Sequence, residues 1–163
     1  MSNKKLILNL LEGTNGKLVS TSVLLLRCTI GLLLFAAGSG KVLGWFGGYG
    51  MVATLKGYAT MGISAPLATL SAYTEFIGGI LIAVGLLTRP AAFAVMINMV
   101  VATIVSLPNG FMSPTGAQSP FVFLMIDIAI LAAGPLTYSL DSLIFRKSGQ
   151  SEYNIKLNKK TPL

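Results

Sequence analysis

Five side chains able to carry charge or to hydrogen-bond lie within, or at the end of, long apolar runs of this sequence. They are Arg27, Lys41, Glu75, Asn98 and Asp127. A charge near the centre of a bilayer costs about 2.5–3.5 kcal/mol on insertion scales, so such residues face the interior of a helix bundle and find partners there. A polar group of this kind can hold the head of a small molecule or relay a proton.

Metal and haem chemistry is a poor fit to the residue types. The chain has no histidine and one cysteine, Cys28, whereas zinc, copper, haem and iron–sulfur sites depend on histidine or on several cysteines. We therefore expect no metal site and no intrinsic cofactor, and a bound quinone or lipid as the alternative. Cys28 fits a small packing residue better than a redox centre.

Composition predicts an integral membrane protein. Only 10% of the 163 residues are charged and 53% are hydrophobic, whereas soluble domains carry roughly 25% charged residues. A bilayer core needs about 20 apolar residues per spanning helix.

Four segments qualify, and the short link Thr88-Arg89-Pro90 forces the middle two into an antiparallel hairpin. The predicted fold is all-α, an antiparallel bundle of four transmembrane helices with short interfacial helices. The predicted spans are 19–41, 66–87, 90–107 and 120–141, with an interfacial helix within 51–63.

The basic residues predict the orientation. We divide the chain into a basic, interfacial tail (1–18), a transmembrane domain (19–145) and a polar basic tail (146–163). With four spans, one side of the membrane collects nine basic residues and the other has Lys41 and Lys56. The positive-inside rule then makes this a multi-pass protein of the cytoplasmic (inner) membrane with both termini in the cytoplasm. The net charge of +7 is explained by this topology and by the lipid surface, and nucleic acid is excluded as a partner because no basic face carries interleaved aromatics. The nine residues are Lys4, Lys5, Lys17, Arg89, Arg146, Lys147, Lys156, Lys159 and Lys160.

Depth within the spans predicts an ion pair. At a rise of ~1.5 Å per residue, Arg27 lies ~4 Å and Glu75 ~2 Å from the midpoints of their spans, an offset that an arginine side chain can bridge. Asp127 falls nearer the level of Lys41, and Asn98 lies near the middle. We therefore predict an Arg27–Glu75 pair within one shared polar centre.

Small residues predict where the first two spans approach each other. Gly31 and Gly38 share a helix face with Arg27, and Gly78 and Gly79 follow Glu75 by one turn. Small residues allow close helix contact in membranes. The polar centre has a purely structural interpretation beside the functional one, in which it only fixes the register of the helices. Asn98 in particular suits a helix–helix hydrogen bond.

Four stretches resemble the DoxX family. They are "LLRCTIGLLLFAAGSGK", "TEFIGGILIAVGLLTRPAA", "MVVATIVSLPNGF" and "GPLTYSLDSL", and together they extend over about residues 20–145. The resemblance implies a small four-helix protein of the cytoplasmic membrane, linked to quinone-coupled oxidation and to membrane oxidoreductase complexes. It marks Arg27, Lys41, Glu75 and Arg89 as positions of interest. In many relatives a histidine precedes Leu-Pro-Asn-Gly-Phe, where this chain has Ser106.

Three functions remain open. The first is a membrane subunit or accessory of a quinone-linked oxidoreductase system, whose polar site binds a quinone-like molecule or relays protons. The second is a non-enzymatic scaffold that docks a membrane or peripheral partner, or a second copy of the chain. The third is a small-molecule permease, which four helices favour less because the path between them is narrow. No independent catalytic motif is present.

Overall fold

The computed structural model describes residues 16–134, 138–142 and 144. It contains five α-helices and one 3-10 turn, with no strand in this part of the chain. The prediction of an all-α membrane protein is thereby confirmed. The elements are α1 (Gly16–Val42), α2 (Gly50–Thr60), α3 (Ala65–Val84), α4 (Thr88–Ser106), the turn Leu107–Asn109 and α5 (Gln118–Ala133).

Three of these helices are long and apolar enough to cross a membrane, so the predicted count of four is not exact. They supply the spans Leu18–Val42, Ala65–Val84 and Thr88–Asn109. Helix α5 has 16 residues and reaches ~24 Å at ~1.5 Å per residue, less than the bilayer core of about 30 Å. Its predicted end at Asp141 is wrong. Gly134 adopts φ +69°, which stops the helix at Ala133.

The helices alternate in direction. We call the end of the bundle where α1 and α4 begin the Arg27 end, and the opposite end, where α3 and α5 begin, the Lys41 end. Helix α1 packs mainly against α3, and α4 against α5. Between them lies an apolar core of buried side chains that includes Ile30, Leu34, Ile82, Val95 and Ile130.

Glycines set the register of α1 against α3. A methyl group added at Gly31 would lie 2.6 Å from the backbone nitrogen of Ala83, and one at Gly79 would lie 2.5 Å from that of Phe35. Gly38 meets the backbone of Phe76 in the same way. In this register the first part of α1, before Arg27, extends past the end of α3.

The turn between α3 and α4 differs from the predicted one. The connection is Gly85–Leu87, and Thr88 already belongs to α4, with Pro90 in its first turn. Gly85 has φ +72° and Leu87 φ +49°, a left-handed conformation that a non-glycine residue seldom adopts. A contact from the C-terminal segment, described below, stabilises this turn.

Helix α2 corresponds to the short helix predicted within 51–63. It has no buried residue, and it is tied to the end of α1 by the Thr54 hydroxyl, which donates to the carbonyl of Lys41 over 3.2 Å. The predictions for the tails 1–18 and 146–163 concern residues outside the described part, apart from the first turn of α1.

Candidate functional site

An ion pair between Lys41 and Glu75 forms the centre of the site. The Lys41 Nζ lies 2.6 Å from each carboxylate oxygen of Glu75. Glu75 is 4% exposed, while the Lys41 side chain is 31% exposed. Asn98 of α4 donates its Nδ2 hydrogen to Glu75 Oε1 over 3.3 Å. One carboxylate thus joins α1, α3 and α4.

Two hydroxyl groups extend this cluster, and sequence reasoning missed both. Lys41 Nζ lies 3.5 Å from the Tyr58 hydroxyl, which lies 3.3 Å from the hydroxyl of Ser71. Ser71 had a signal, because it lies four residues before Glu75 on the same helix face. Tyr58 had none, since a lone tyrosine in an interfacial helix is an ordinary membrane anchor.

The cluster opens on a cavity of about 530 Å³ in the half of the bundle at the Lys41 end. Ser106 lies on its wall at the end of α4. The side chains of the cluster that line the cavity are Lys41, Tyr58, Ser71, Glu75 and Asn98. Most of the remaining wall is aliphatic, with Phe123 from α5 opposite. A cavity of roughly 300–1,000 Å³, apolar apart from a few convergent polar groups, is typical of small-molecule sites. We call this the polar cavity.

The predicted Arg27–Glu75 pair is wrong. Arg27 lies at the other end of the bundle, 1% exposed, and its guanidinium donates to the carbonyls of Ile82 over 3.2 Å and Tyr138 over 3.3 Å. The depth argument placed the midpoints of the first two spans at one level. The glycine register instead sets Arg27 beside the C-terminal end of α3.

Asp141 is a second charged residue at the Arg27 end. Its carboxylate accepts hydrogen bonds from the backbone N–H of Leu87 (2.8 Å), the N–H of Thr88 (2.9 Å) and the Thr88 hydroxyl (2.9 Å). Burial alone would raise the pKa of Asp141, but these hydrogen bonds and the nearby charge of Arg27 outweigh it, so its pKa lies below 3.8. The carboxylate therefore holds the strained turn and the start of α4. Sequence reasoning used Asp141 as the end of a span and as part of the family-like stretch "GPLTYSLDSL", and assigned it no partner.

Asp127 joins neither group. It is fully buried in α5, does not line the polar cavity, and neither carboxylate oxygen has a hydrogen-bond partner among the described residues. Of the five predicted polar residues, the structure therefore brings together Lys41, Glu75 and Asn98, and separates Arg27 and Asp127 from them.

The remaining predicted positions lie at helix contacts. Gly78 faces α4, where an added methyl group would lie 2.5 Å from Val95 Cγ2, whereas Gly79 faces α1. Arg89 lies in the first turn of α4 next to the end of α5. A methyl group added at Gly134 would lie 2.9 Å from Arg89 Nε.

Comparison with known proteins places these features in a family. The chain is 29% identical over 124 residues to a Bacillus subtilis (strain 168) protein named "Putative oxidoreductase CatD", an alignment that covers 76% of this chain and 87% of the relative. No solved structure matches the chain. The family model described as DoxX matches residues 22–108, which confirms the resemblance seen in the sequence. The chain belongs to the DoxX family.

Proposed function

We propose that this protein is an integral membrane subunit or accessory of a quinone-linked oxidoreductase system, and that the polar cavity binds a quinone-like head group. The observation that carries the proposal is the Lys41–Glu75–Asn98 cluster on the wall of a largely apolar cavity of about 530 Å³. The setting is the cytoplasmic membrane, with both termini in the cytoplasm.

The chemistry of the cluster suits this ligand class. A quinone carries two carbonyl acceptors on an apolar ring, and the Lys41 ammonium and the Asn98 amide are hydrogen-bond donors. A quinol carries two hydroxyl donors, for which Glu75 is an acceptor. Charge-assisted hydrogen bonds of this kind are roughly twice as strong as neutral ones. The cavity can therefore hold either form.

Electrons would come from another protein. Reduction of a quinone to a quinol takes two electrons and two protons, and a chain with no histidine and one cysteine has no evident ligand set for a redox metal. The relative's printed name, an oxidoreductase, agrees with a redox setting. The share of this chain is then to bind and orient the head group and to pass protons through Glu75 and Lys41.

The test is mass spectrometry of organic molecules extracted from the protein purified in native lipid particles. We expect a quinone or quinol in the wild type and its loss in Glu75→Gln and Lys41→Met. The matched control is Lys56→Met, which makes the same change at an exposed lysine outside the cavity. An extract without quinone, from protein that is folded and monodisperse, would defeat the proposal.

A second function, a non-enzymatic scaffold, is favoured by the same hydrogen bonds, because Glu75 connects three helices. This function predicts a stable complex with a partner protein and an empty cavity. A double variant Lys41→Met/Glu75→Met, which removes both charges, would then retain the complex and its activity. Under the quinone proposal the double variant assembles but has no ligand and no activity.

A further inference from the structure

A second, apolar groove lies between α3 and α4 and extends from beside the polar cavity toward the Arg27 end. Its volume is about 350 Å³. On α3 it extends from Leu70 to Leu81, and on α4 and the preceding turn from Leu87 to Ala94. Tyr73 and Thr74 supply the only side-chain hydroxyls on its wall. The rest of the wall is apolar, so the groove suits a hydrocarbon ligand better than a polar one.

The groove joins the polar cavity. Leu70, Thr74 and Ala94 line both spaces. The Glu75–Asn98 hydrogen bond and the contact of Gly78 with Val95 fix the register of α3 against α4. In this register Thr74 lies at the level of the polar cluster, Leu70 toward the Lys41 end and Ala94 toward the Arg27 end. The groove and the cavity therefore overlap beside the polar cluster, and the groove continues from there toward the Arg27 end.

The shape of the groove suits an extended chain. From Leu70 to Leu81 it follows α3 for ~16 Å at ~1.5 Å per residue. Leu70, Ile77 and Leu87, at its edges, are 63%, 50% and 53% exposed, so it is open along its side to the hydrocarbon of the bilayer. Gly78 lies in the wall, where it lets α3 and α4 approach each other closely at Val95.

We infer that the ligand of the polar cavity is amphiphilic, with its head on Lys41, Glu75 and Asn98 and a linear hydrocarbon tail in the α3–α4 groove, pointing to the Arg27 end. This inference rests on the proposed function and names its ligand class: a quinone with an isoprenoid or alkyl chain, in place of a small soluble quinone or catechol. The overlap of the two spaces beside Glu75 is the reason for this occupant, because a head group held in the cavity directs its tail into the groove.

Photoaffinity labelling tests the position of the tail. The probe is a 1,4-benzoquinone with a ten-carbon chain that ends in a diazirine, added to the full-length protein in lipid nanodiscs. We expect saturable labelling of peptides that contain Leu81, Leu87 or Pro90, and its loss when the same quinone without a tail is present in excess. A phosphatidylcholine with a diazirine at the end of one acyl chain reports contact by bulk lipid, and the quinone competitor leaves its labelling unchanged.

Two isoleucines of α3 provide a matched pair of variants. Ile77 lines the groove and Ile80 does not, and both are exposed, at 50% and 40%. Ile77→Trp should fill the groove and remove the saturable labelling, whereas Ile80→Trp should leave it as in the wild type. Thermal unfolding of both variants checks that each is folded.

The outcomes separate this inference from the proposed function. The tail position is overturned, and the head site stays intact, if the tailless quinone binds saturably but the diazirine labels residues outside the groove. The same holds if the labelling of Ile77→Trp equals that of the wild type. Labelling that no quinone competes for assigns the groove to bulk lipid, which also overturns the inference. If neither quinone binds saturably, both this inference and the proposed function are overturned.

Discussion

At the scale of single residues, the decisive feature is which cation neutralises Glu75. Lys41 does so at 2.6 Å, while Arg27 lies at the opposite end of the bundle with Ile82 and Tyr138. Among the described residues, two charged centres therefore take the place of the single one that the sequence suggested. The Lys41 centre lines a cavity and the Arg27 centre fixes a turn, so the first is in position to meet a ligand.

A double-mutant cycle distinguishes these pairings. Glu75→Gln leaves the Lys41 ammonium without its carboxylate, and breaking a buried pair in a soluble protein costs about 3–5 kcal/mol. Since Lys41 is partly exposed, we expect a loss near the lower end of that range. Adding Lys41→Met should recover part of it, whereas Arg27→Gln with Glu75→Gln should be additive to about 0.5 kcal/mol. Unfolding free energies measured in detergent give the coupling energies of Glu75 with Lys41 and with Arg27. Coupling to Arg27 without coupling to Lys41 would support the Arg27–Glu75 pair instead.

Asp141 predicts a pH dependence of stability. Because the pKa of its carboxyl is lowered in the folded protein, the stability that it contributes is fully present above 3.8, its ordinary value, and is lost as the pH falls through the lower, folded-state pKa. Asp141→Asn should be less stable than the wild type at pH 6, and the difference should shrink as the pH falls below about 4. Thermal midpoints of both proteins over this range measure it. A difference that is constant with pH would contradict the role of the carboxylate.

Asp127 predicts an unusual response to an apolar substitution. An unpartnered buried polar group costs about 1–3 kcal/mol, and both oxygens of Asp127 lack partners among the described residues. Asp127→Leu should therefore raise the thermal midpoint or leave it unchanged. The comparison is Leu124→Asp, which buries a carboxyl one turn earlier on α5 and should destabilise. A large loss of stability in Asp127→Leu would reveal a partner for this carboxyl.

At the scale of helices, sequence patterns predicted the elements better than their relative positions. The starts of α3, α4 and α5 lie within two residues of prediction, because apolar runs and prolines define them. The early end of α5 also had a signal, since Gly134-Pro135 is a strong helix stop, yet the apolar run alone was followed to Asp141. The register of α1 against α3 depends on which glycines face each other, and this is a property of two helices that a single hydropathy profile lacks.

Gly79 offers a direct test of that register. A methyl group there would lie 2.5 Å from the backbone nitrogen of Phe35, so Gly79→Ala forces α1 and α3 apart. Overpacking of this kind costs about 1–3 kcal/mol. Gly57→Ala is the matched control, since nothing lies within 4 Å of a methyl group there and alanine favours a helix. We expect a lower thermal midpoint for Gly79→Ala and an equal or higher one for Gly57→Ala; equal behaviour of the two would exclude close packing at Gly79.

At the scale of the whole molecule, the two charged centres and the apolar groove divide the bundle along its length. The polar cavity lies in the half at the Lys41 end, and the groove leads from it to the Arg27 end. The sequence predicted a polar site in the membrane, but not this division, because the cavity depends on Tyr58 of α2 and on the spacing between α3 and α4. Under the proposed function, the orientation would decide from which side of the membrane protons reach Glu75.

The basic residues predict that the Lys41 end faces outward, because nine of them belong to the other side. Starting from a Cys28→Ala background, a single cysteine in place of Lys56 on α2 should react with a membrane-impermeant maleimide in intact cells. A cysteine in place of Lys160 should react only after the membrane is opened. The polar cavity would then exchange protons with the outer face, and oxidation of a bound quinol would release them there. Labelling of the Lys160→Cys variant in intact cells would reverse the orientation, and with it the side on which the protons appear.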